Sequence, residues 1–242
     1  MTVSRFQDKV VWITGASSGI GEALAHVFSA QGARLILSAR RKAELERVAG
    51  RWEGGPERVR LLPRDLSGAE ALEQKASEAR RFFGRVDIMV HNGGVSHQDL
   101  VTSTSLDVDR TIMETNYFGT VALTKALLPS MVAAGGGHFV VVGSLSGKFG
   151  VPRLSAYAAS KHALHGFFES LRAEVTGENI RLTIVIPGIN RTPITVNALT
   201  GDGTPHGRMT ALHEKGMSPG ECAKRIVRAV AREKDEALIG GK

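Results

Sequence analysis

Residues 9–21 read Lys-Val-Val-Trp-Ile-Thr-Gly-Ala-Ser-Ser-Gly-Ile-Gly, and a helix-like pattern follows over residues 22–31. The first six residues are mostly apolar and β-branched, which predicts a strand buried on both faces. Strand, glycine turn and helix in this order are what a dinucleotide site requires. Here Gly15 permits a tight turn, Gly19 lets the backbone approach a pyrophosphate, and Gly21 lets the helix pack on the strand.

The glycine spacing is Gly-x-x-x-Gly-x-Gly, which differs from the simplest dinucleotide fingerprint, Gly-x-Gly-x-x-Gly. A glycine loop alone is weak support for a cofactor site, because many such loops are plain turns. The N-terminus of the following helix would nevertheless offer free N–H groups and a partial positive charge to phosphates.

The second predicted strand, 34–38, ends in Ala39, Arg40 and Arg41. Many NAD sites place a carboxylate at this strand end to accept the ribose hydroxyls. A carboxylate would repel a 2′-phosphate, whereas guanidinium groups bind phosphate well. The sequence therefore predicts NADP (NADPH) as the cofactor. The alternative is that the two arginines begin a solvated helix over residues 41–49.

Strand-like and helix-like runs alternate along the chain. The predicted strands are 10–14, 34–38, 59–63, 86–92, 138–144, 181–187 and 236–239, and further helices are predicted at 69–83, 107–132, 156–176 and 219–233. This alternation predicts an α/β fold, a Rossmann-type doubly wound parallel seven-stranded sheet with helices on both faces, in one NADP-binding domain over 1–242. Segment 189–218 has no clear period and is predicted to be the substrate lid.

Three residues point to proton transfer at an oxygen atom: Ser144, Tyr157 and Lys161. On a helix Tyr157 and Lys161 share one face, and a nearby ammonium would lower the pKa of the phenol toward the working pH. The Ser144 hydroxyl would hold a carbonyl oxygen. Alternatively, the Tyr-x-x-x-Lys spacing arises by chance and joins a half-buried tyrosine to a surface lysine.

With these pieces the chain resembles the single-domain short-chain dehydrogenase/reductase family, through motifs in order over nearly its whole length. The matching motifs are 14–21, Asp65, 91–94, Asn116, Ser144, Tyr157 with Lys161, Pro187-Gly188 and Thr192. Residues 147–172 look most like the reductases related to 11β-hydroxysteroid dehydrogenase. The fourth-strand motif departs from the usual Asn-Asn-Ala-Gly, because His91 replaces the first asparagine and Gly93 replaces the alanine.

The resemblance implies a catalytic tetrad of Asn116, Ser144, Tyr157 and Lys161, and no metal. The predicted cofactor-binding residues are Gly15, Ser17, Ser18, Gly19, Ile20, Gly21, Arg40, Arg41, Asp65, Leu66, Asn92, Gly93, Tyr157, Lys161, Pro187, Gly188 and Thr192. The helices 107–132 and 156–176 pair across subunits in relatives, so a homodimer or homotetramer is expected.

The implied activity is that of an NADP-dependent oxidoreductase that transfers hydride between the nicotinamide and a carbonyl or secondary alcohol, with Tyr157 as acid/base. The alternatives are a 3-oxoacyl-carrier reductase and a non-catalytic NADP-binding redox sensor. Aliphatic residues of the lid favour a moderately apolar small-molecule substrate; they are Ile189, Ile194, Val196, Leu199 and Leu212.

Four histidines near these motifs are interpreted as packing or surface residues: His162, His165, His206 and His213. Ser146 is a weaker candidate than Ser144 for the catalytic serine, because its separation from Tyr157 is two residues shorter than the family pattern.

The formal charge of +7 accompanies only 5% aromatic residues, and the cations are spread over helix faces. This pattern argues against nucleic-acid binding and suits an anionic cofactor. The single cysteine, Cys222, excludes an internal disulfide. No apolar run reaches the roughly 18 residues of a membrane span and no secretory signal follows Met1, so no membrane contact and a cytoplasmic location are expected.

Overall fold

The computed structural model of the chain describes residues 4–50 and 55–240, so the other positions of the predicted 1–242 domain lie outside the described residues. The strands are β1 Val10–Thr14, β2 Arg34–Ser38, β3 Val59–Leu61, β4 Ile88–His91, β5 Gly137–Val142, β6 Ile180–Pro187 and β7 Glu236–Ile239. They form one sheet in the order β3-β2-β1-β4-β5-β6-β7, and every neighbouring pair is parallel. The predicted fold class is confirmed.

Eight α-helices occur within the described ranges: α1 Gly19–Ala30, α2 Lys42–Ala49, α3 Ala69–Phe83, α4 Leu106–Met113, α5 Gly119–Ala133, α6 Ser155–Glu174, α7 Ala211–Glu214 and α8 Pro219–Ala231. None of them is long and apolar enough to span a bilayer.

The period-two alternation of side chains divides the core into two layers, which β1 illustrates. Val11 and Ile13 face the layer that contains α1, α2 and α8, whereas Val10 and Trp12 face the layer that contains α3, α5 and α6. All five β1 residues are buried, as the continuous apolar run predicts. Both faces of the sheet are therefore covered, and ligands have access to its ends.

The helix predicted over 107–132 is present, because the backbone angles stay helical from α4 through α5, but its pitch is not uniform. Helix α4 ends at Met113, a wider π-helical turn spans Glu114–Phe118, and α5 begins at Gly119. The backbone comes very close to a neighbour at this point, because a Cβ on Gly119 would lie 2.2 Å from the carbonyl oxygen of Leu66. A contact with the distant Leu66 backbone therefore accompanies the change in helical pitch. The periodicity of the sequence cannot predict this contact.

Several element ends also differ from prediction. Strand β3 stops at Leu61 and β5 at Val142, each two residues early, so Ser144 lies in the loop beyond its strand. Strand β4 starts two residues late, at Ile88, whereas α1 starts three residues early, at Gly19.

The segment predicted as a lid, 189–218, has more local structure than its irregular sequence indicates. It contains α7 and forms isolated β-bridges, one of which pairs Leu199 with His97 in the loop after β4. The Leu199 N–H donates to Ser96 O at 2.9 Å, and Gln98 N–H donates to Leu199 O at 2.8 Å. Leu199 also packs in a small cluster with Val108, so it is a core contact.

Two histidines are buried in the sheet itself. On β4, His91 Nε2 forms a hydrogen bond with Thr124 Oγ1 at 2.9 Å, and the ring stacks on Phe139. On β5, His138 bonds Thr183 Oγ1 at 2.8 Å. Burial lowers the pKa of His91 to about 3 and the pKa of His138 to about 4, so both rings are neutral in the folded protein.

We expect acidification to destabilise the fold through these two rings. Each histidine is protonated in the unfolded chain below about pH 6.5 but not in the folded one, so its contribution is complete above that pH and is lost as the pH falls. Replacing His91→Asn, the residue usual in the family, should reduce the slope of unfolding free energy against pH by about 1.4 kcal/mol per pH unit between about pH 6 and 4. Urea unfolding at several pH values measures this slope, and an unchanged slope would contradict the assignment.

Candidate active site

A cleft of about 280 Å³ lies at the carboxyl ends of β1, β2 and β4. Its lining includes most of the predicted cofactor-binding residues: Gly15, Ser17, Ser18, Gly19, Ile20, Arg40, Arg41, Asp65, Leu66, Asn92, Gly93 and Thr192. Ligands of open parallel sheets bind at this edge. Five predicted residues lie outside the lining, namely Gly21, Tyr157, Lys161, Pro187 and Gly188.

Each glycine of the loop after β1 is needed for a different geometric reason. Gly15 has φ +65° and Gly19 has φ +59°, which is the left-handed region that glycine adopts without strain. A Cβ on Gly21 would lie 2.2 Å from Gly15 O, so this residue seats α1 on the loop. A Cβ on Gly19 would lie 3.2 Å from Thr192 in the predicted lid segment. Thus Gly21 shapes the cleft from outside its lining.

Asn92 ties the ends of β1 and β4 together. Its Nδ2 donates to Thr14 O at 3.0 Å and to Gly15 O at 3.3 Å. In return, Thr14 Oγ1 accepts hydrogen bonds from the N–H groups of Asn92 and Gly93 at 3.1 and 3.0 Å. The Asn92 amide nitrogen therefore holds the glycine loop in place.

The N-terminus of α1 opens toward the same cleft. Ser18 occupies the N-cap, and its hydroxyl accepts no capping bond from the described part of the chain. The first-turn N–H groups and the helix dipole together make this end a favourable position for an anion.

Positive charge gathers at the end of β2. Arg40 and Arg41 both line the cleft, and Arg41 Nη2 lies 3.5 Å from Ser17 Oγ. Helix α2 starts at Lys42, and Arg41 is its N-cap residue. Arg41 therefore stands at a helix start, as the alternative interpretation expects, and also lines the cleft. Asp65 is the one carboxylate among the described residues that line this cleft. Burial acts to raise the pKa of Asp65, but hydrogen bonds from Ser67 and the Arg40 charge lower it overall.

Sequence reasoning missed Arg64. This arginine also lines the cleft, is 8% exposed, and lies over the Trp12 ring at 5.3 Å from its centroid. None of its three guanidinium nitrogens has a hydrogen-bond acceptor among the described residues. Burial lowers the pKa of Arg64 to about 10, so it is still a cation at neutral pH. The sequence feature that could have identified Arg64 as a cleft residue is its position just after a parallel strand and directly before Asp65.

Ser144, Tyr157 and Lys161 come together next to this cleft. The Ser144 hydroxyl lies near enough to the Tyr157 phenol to act on its pKa, and Ser144 Oγ accepts from the Ser146 N–H at 3.2 Å. The Lys161 Nζ lies 5.7 Å from the centroid of the Tyr157 ring and donates to Val142 O at 2.9 Å. The structure thus brings the preferred serine, Ser144, to the tyrosine.

The expected lowering of the Tyr157 pKa is wrong for the protein alone. Burial raises the pKa of Tyr157, and only the hydrogen bond with Ser144 acts in the other direction. Burial also lowers the pKa of Lys161 to about 8. Desolvation disfavours charge on both groups, and the Lys161 ammonium is bound to Val142 O beside the Tyr157 ring.

Asn116 lies in the π-helical turn between α4 and α5, a feature frequent at functional sites. Its Oδ1 accepts from Val95 N at 2.8 Å, while its Nδ2 donates to Val95 O at 2.9 Å and to Ser160 Oγ at 3.0 Å. The Ser160 hydroxyl in turn donates to Tyr157 O at 2.8 Å. The asparagine therefore joins the loop after β4 to the helix that carries the tyrosine and the lysine.

The catalytic candidates are buried: Tyr157 is 9% and Lys161 6% exposed. Pro187 ends β6, and Gly188 N–H bonds Ile239 O at 2.9 Å, so both lie at the same sheet edge beyond the cleft lining. Within the predicted lid, Ile194 lines the cleft whereas Leu212 is 61% exposed.

Three of the four discounted histidines bond local groups. His162 Nδ1 donates to Ala158 O one turn earlier, His206 Nδ1 to Arg208 O, and His213 Nδ1 bonds the Thr210 hydroxyl. These contacts are local, in keeping with the packing or surface interpretation.

The geometry agrees with comparisons to known proteins. The model of the short chain dehydrogenase family matches residues 9–202. The chain belongs to this family. It is 46% identical over 237 residues to a Drosophila melanogaster dehydrogenase/reductase SDR family protein 7-like, covering 96% of this chain and 72% of that protein. It is 43% identical over 243 residues to dehydrogenase/reductase SDR family member 7B of Xenopus tropicalis, covering 97% and 78%.

Solved structures share the fold. A short-chain dehydrogenase from Streptomyces avermitilis aligns with a TM-score of 0.85 at 30% identity, covering 97% of this chain and 89% of that one. A short chain dehydrogenase/reductase from Burkholderia phymatum in complex with NAD aligns with a TM-score of 0.86 at 22% identity, covering 96% and 89%. The predicted family is therefore confirmed, and the predicted sub-family is consistent with the relatives named above.

Two adjacent glycines should respond differently to substitution. A Cβ on Gly94 would lie 2.9 Å from Asn116 Oδ1, whereas on Gly93 its nearest neighbour would be the flexible Leu66 Cδ1 at 2.6 Å. Gly94→Ala should destabilise the protein by about 1–3 kcal/mol, because the Asn116 amide must leave its Val95 partners. Gly93→Ala, which restores the family pattern, should cost less. Urea unfolding compares the two variants, and equal costs would refute the packing argument.

Proposed function

We propose that this member of the family is an NADP(H)-dependent oxidoreductase that transfers hydride between the nicotinamide and a carbonyl or secondary alcohol carbon. The observation that carries the proposal is the buried Tyr157, with Ser144 and Lys161 beside it, next to a cleft lined by Arg40 and Arg41. The hydroxyl groups of Ser144 and Tyr157 can hydrogen-bond an oxygen atom that gains or loses a proton, and the arginines can bind a phosphate.

The residues of the cleft fit a phosphorylated dinucleotide. Gly15 and Gly93 line the cleft and pack closely on neighbouring protein atoms, the start of α1 offers N–H groups, and the buried Arg64 adds positive charge. We propose that Arg40 and Arg41 bind the 2′-phosphate, because the end of β2 carries no carboxylate to bind ribose hydroxyls. When bound, the cofactor supplies or accepts the hydride.

The roles of the protein residues follow from their contacts. Tyr157 donates the proton to the carbonyl oxygen during reduction, and Ser144 orients that oxygen by a hydrogen bond. Lys161 holds positive charge one helical turn from the phenol and stabilises the phenolate that remains. Asn116 keeps the loop after β4 against α6, so the tyrosine and the cleft retain their relative positions.

The phenol of Tyr157 is in the form that donates a proton to a carbonyl oxygen. Burial raises its pKa, so it is protonated at neutral pH in the protein without cofactor. Oxidation of an alcohol requires the phenolate, which the Lys161 charge would stabilise.

The substrate side of the proposal rests on fewer contacts. Ile194 lines the cleft and Ile189 is 39% exposed at the end of β6, which supports a moderately apolar carbonyl compound under segment 189–218 as lid. The 3-oxoacyl-carrier reductase, the redox sensor and the cytoplasmic location stay predictions. We also propose a homo-oligomer, because two large apolar side chains are exposed: Leu106 at the start of α4 is 67% exposed, and Phe118 at the end of the π-helical turn is 48% exposed.

Tyr157→Phe should lower the rate of NADPH-dependent carbonyl reduction by at least about 100-fold, because the proton donor is lost while the ring remains. NADPH affinity should change little. The chain has one other tyrosine, so Tyr117→Phe is a matched control that should retain activity. Loss of NADPH absorbance with a panel of ketones and aldehydes measures the rate. Full activity of the Tyr157 variant would refute its role, and a wild-type protein that binds NADPH but reduces nothing in the panel would favour the sensor.

Arg40→Ala and Arg41→Ala should each weaken NADPH binding about tenfold and leave NADH binding nearly unchanged, because a charge-assisted bond to phosphate contributes about 1.5–3 kcal/mol. Lys42→Ala is the matched control: it removes a neighbouring charge whose Nζ lies 3.6 Å from Glu46. Fluorescence titration with each cofactor gives the ratio of affinities. An unchanged ratio in both arginine variants would remove the argument for NADP.

A further inference from the structure

A cluster of potential metal ligands lies on the far side of the Ser144 loop from the cleft. His165 and Glu169 are four residues apart on one face of α6, and Glu236 is the first residue of β7. His165 Nδ1 lies 3.7 Å from Glu169 Oε1 and 3.9 Å from Glu236 Oε2. One ligand atom from each of the three residues lies within 4.8 Å of the other two.

The His165 ring is buried without the hydrogen bonds that a buried imidazole needs. Its side chain is 7% exposed, and neither ring nitrogen has a hydrogen-bond partner in the described part of the chain. The Nε2 edge is packed on backbone, because a Cβ on Gly147 would lie 3.2 Å from Nε2 and one on Gly143 would lie 3.4 Å from it. Nδ1 therefore faces the two carboxylates. Buried polar groups without partners are uncommon and call for a ligand or another explanation.

We propose that His165, Glu169 and Glu236 bind a divalent transition-metal ion, for which Zn²⁺ is the first candidate. One imidazole nitrogen and two carboxylate oxygens are ligands that Zn²⁺ accepts, with the fourth position left to water. At Zn–ligand distances of about 2.0–2.2 Å, neighbouring ligand atoms lie about 3.3 Å apart. His165 Nδ1 lies 3.7 and 3.9 Å from the two carboxylate oxygens, and the oxygens lie within 4.8 Å of each other, so the half-exposed glutamates would have to move inward to bind the ion.

Lys148 competes with the metal ion. Its Nζ lies 2.6 Å from Glu236 Oε2, the oxygen that would coordinate the ion. The lysine side chain is 39% exposed and has room to turn toward solvent. The apparent affinity for metal therefore depends on the strength of the Lys148–Glu236 ion pair.

The bound ion would connect α6, β7 and the loop that carries Ser144. His165 is one helical turn beyond Lys161, and its ring packs against Gly143 and Gly147 on either side of Ser144 and its turn. None of the three ligands lines the cleft, so the proposed ion site is separate from the cofactor site.

Calorimetric titration of the chelator-stripped full chain with ZnCl₂ tests the proposal. We expect one ion per chain, and Co²⁺ in its place should show visible absorption bands. His165→Gln and Glu169→Gln should each weaken Zn²⁺ binding at least about tenfold. Lys148→Gln should tighten it about two- to fivefold, since a partly exposed ion pair is removed. Mg²⁺, which avoids imidazole ligands, should not bind.

The matched control is His162→Gln, a substitution on the same helix outside the cluster, which should leave Zn²⁺ affinity unchanged. Cys222 should not compete, because burial raises the pKa of its thiol to about 12. Unchanged affinity in both ligand variants, or no stoichiometric binding by the wild-type chain, would overturn the proposal. If His165→Gln does not fold, Glu169→Gln decides alone, because the side chain of Glu169 is 53% exposed.

Discussion

The junction between β1 and β4 is the constraint on which the rest of the structure depends. Four hydrogen bonds join Thr14, Gly15, Asn92 and Gly93 across the carboxyl ends of the two strands. Backbone and amide groups pack so closely there that a Cβ on Gly15 would lie 2.8 Å from Asn92 Nδ2. Because the junction positions both the glycine loop and the loop after β4, it fixes these two parts of the cleft relative to each other.

A continuous set of contacts leads from that junction to the catalytic candidates. Val95 lines the cleft and exchanges two backbone hydrogen bonds with the Asn116 amide, which also bonds the Ser160 hydroxyl on α6. That hydroxyl bonds Tyr157 O. The π-helical turn that contains Asn116 is therefore a structural requirement of the site, because a regular helix would present this residue at a different angle.

Burial accounts for the electrostatics of the whole site. Desolvation raises the pKa of Tyr157 and lowers that of Lys161, the directions that disfavour charge on each group. The same effect keeps His91 neutral between Phe139 and Thr124. Burying so many polar groups reduces stability, and the two apolar layers that cover the sheet offset this cost.

Local chemistry was enough to determine a large part of this protein from its sequence. Apolar runs bounded by turns located all seven strands, and glycines at fixed spacing after β1 identified the cofactor loop, because chain neighbours alone set these features. The tertiary structure alone decided the π-helical turn at Glu114–Phe118, the contact of Arg64 with the Trp12 ring, the direction of the Tyr157 pKa shift and the contact of His165 with Glu236. Each of these depends on groups far apart in the chain, and the desolvation that controls them arises only when the sheet and its helices pack together.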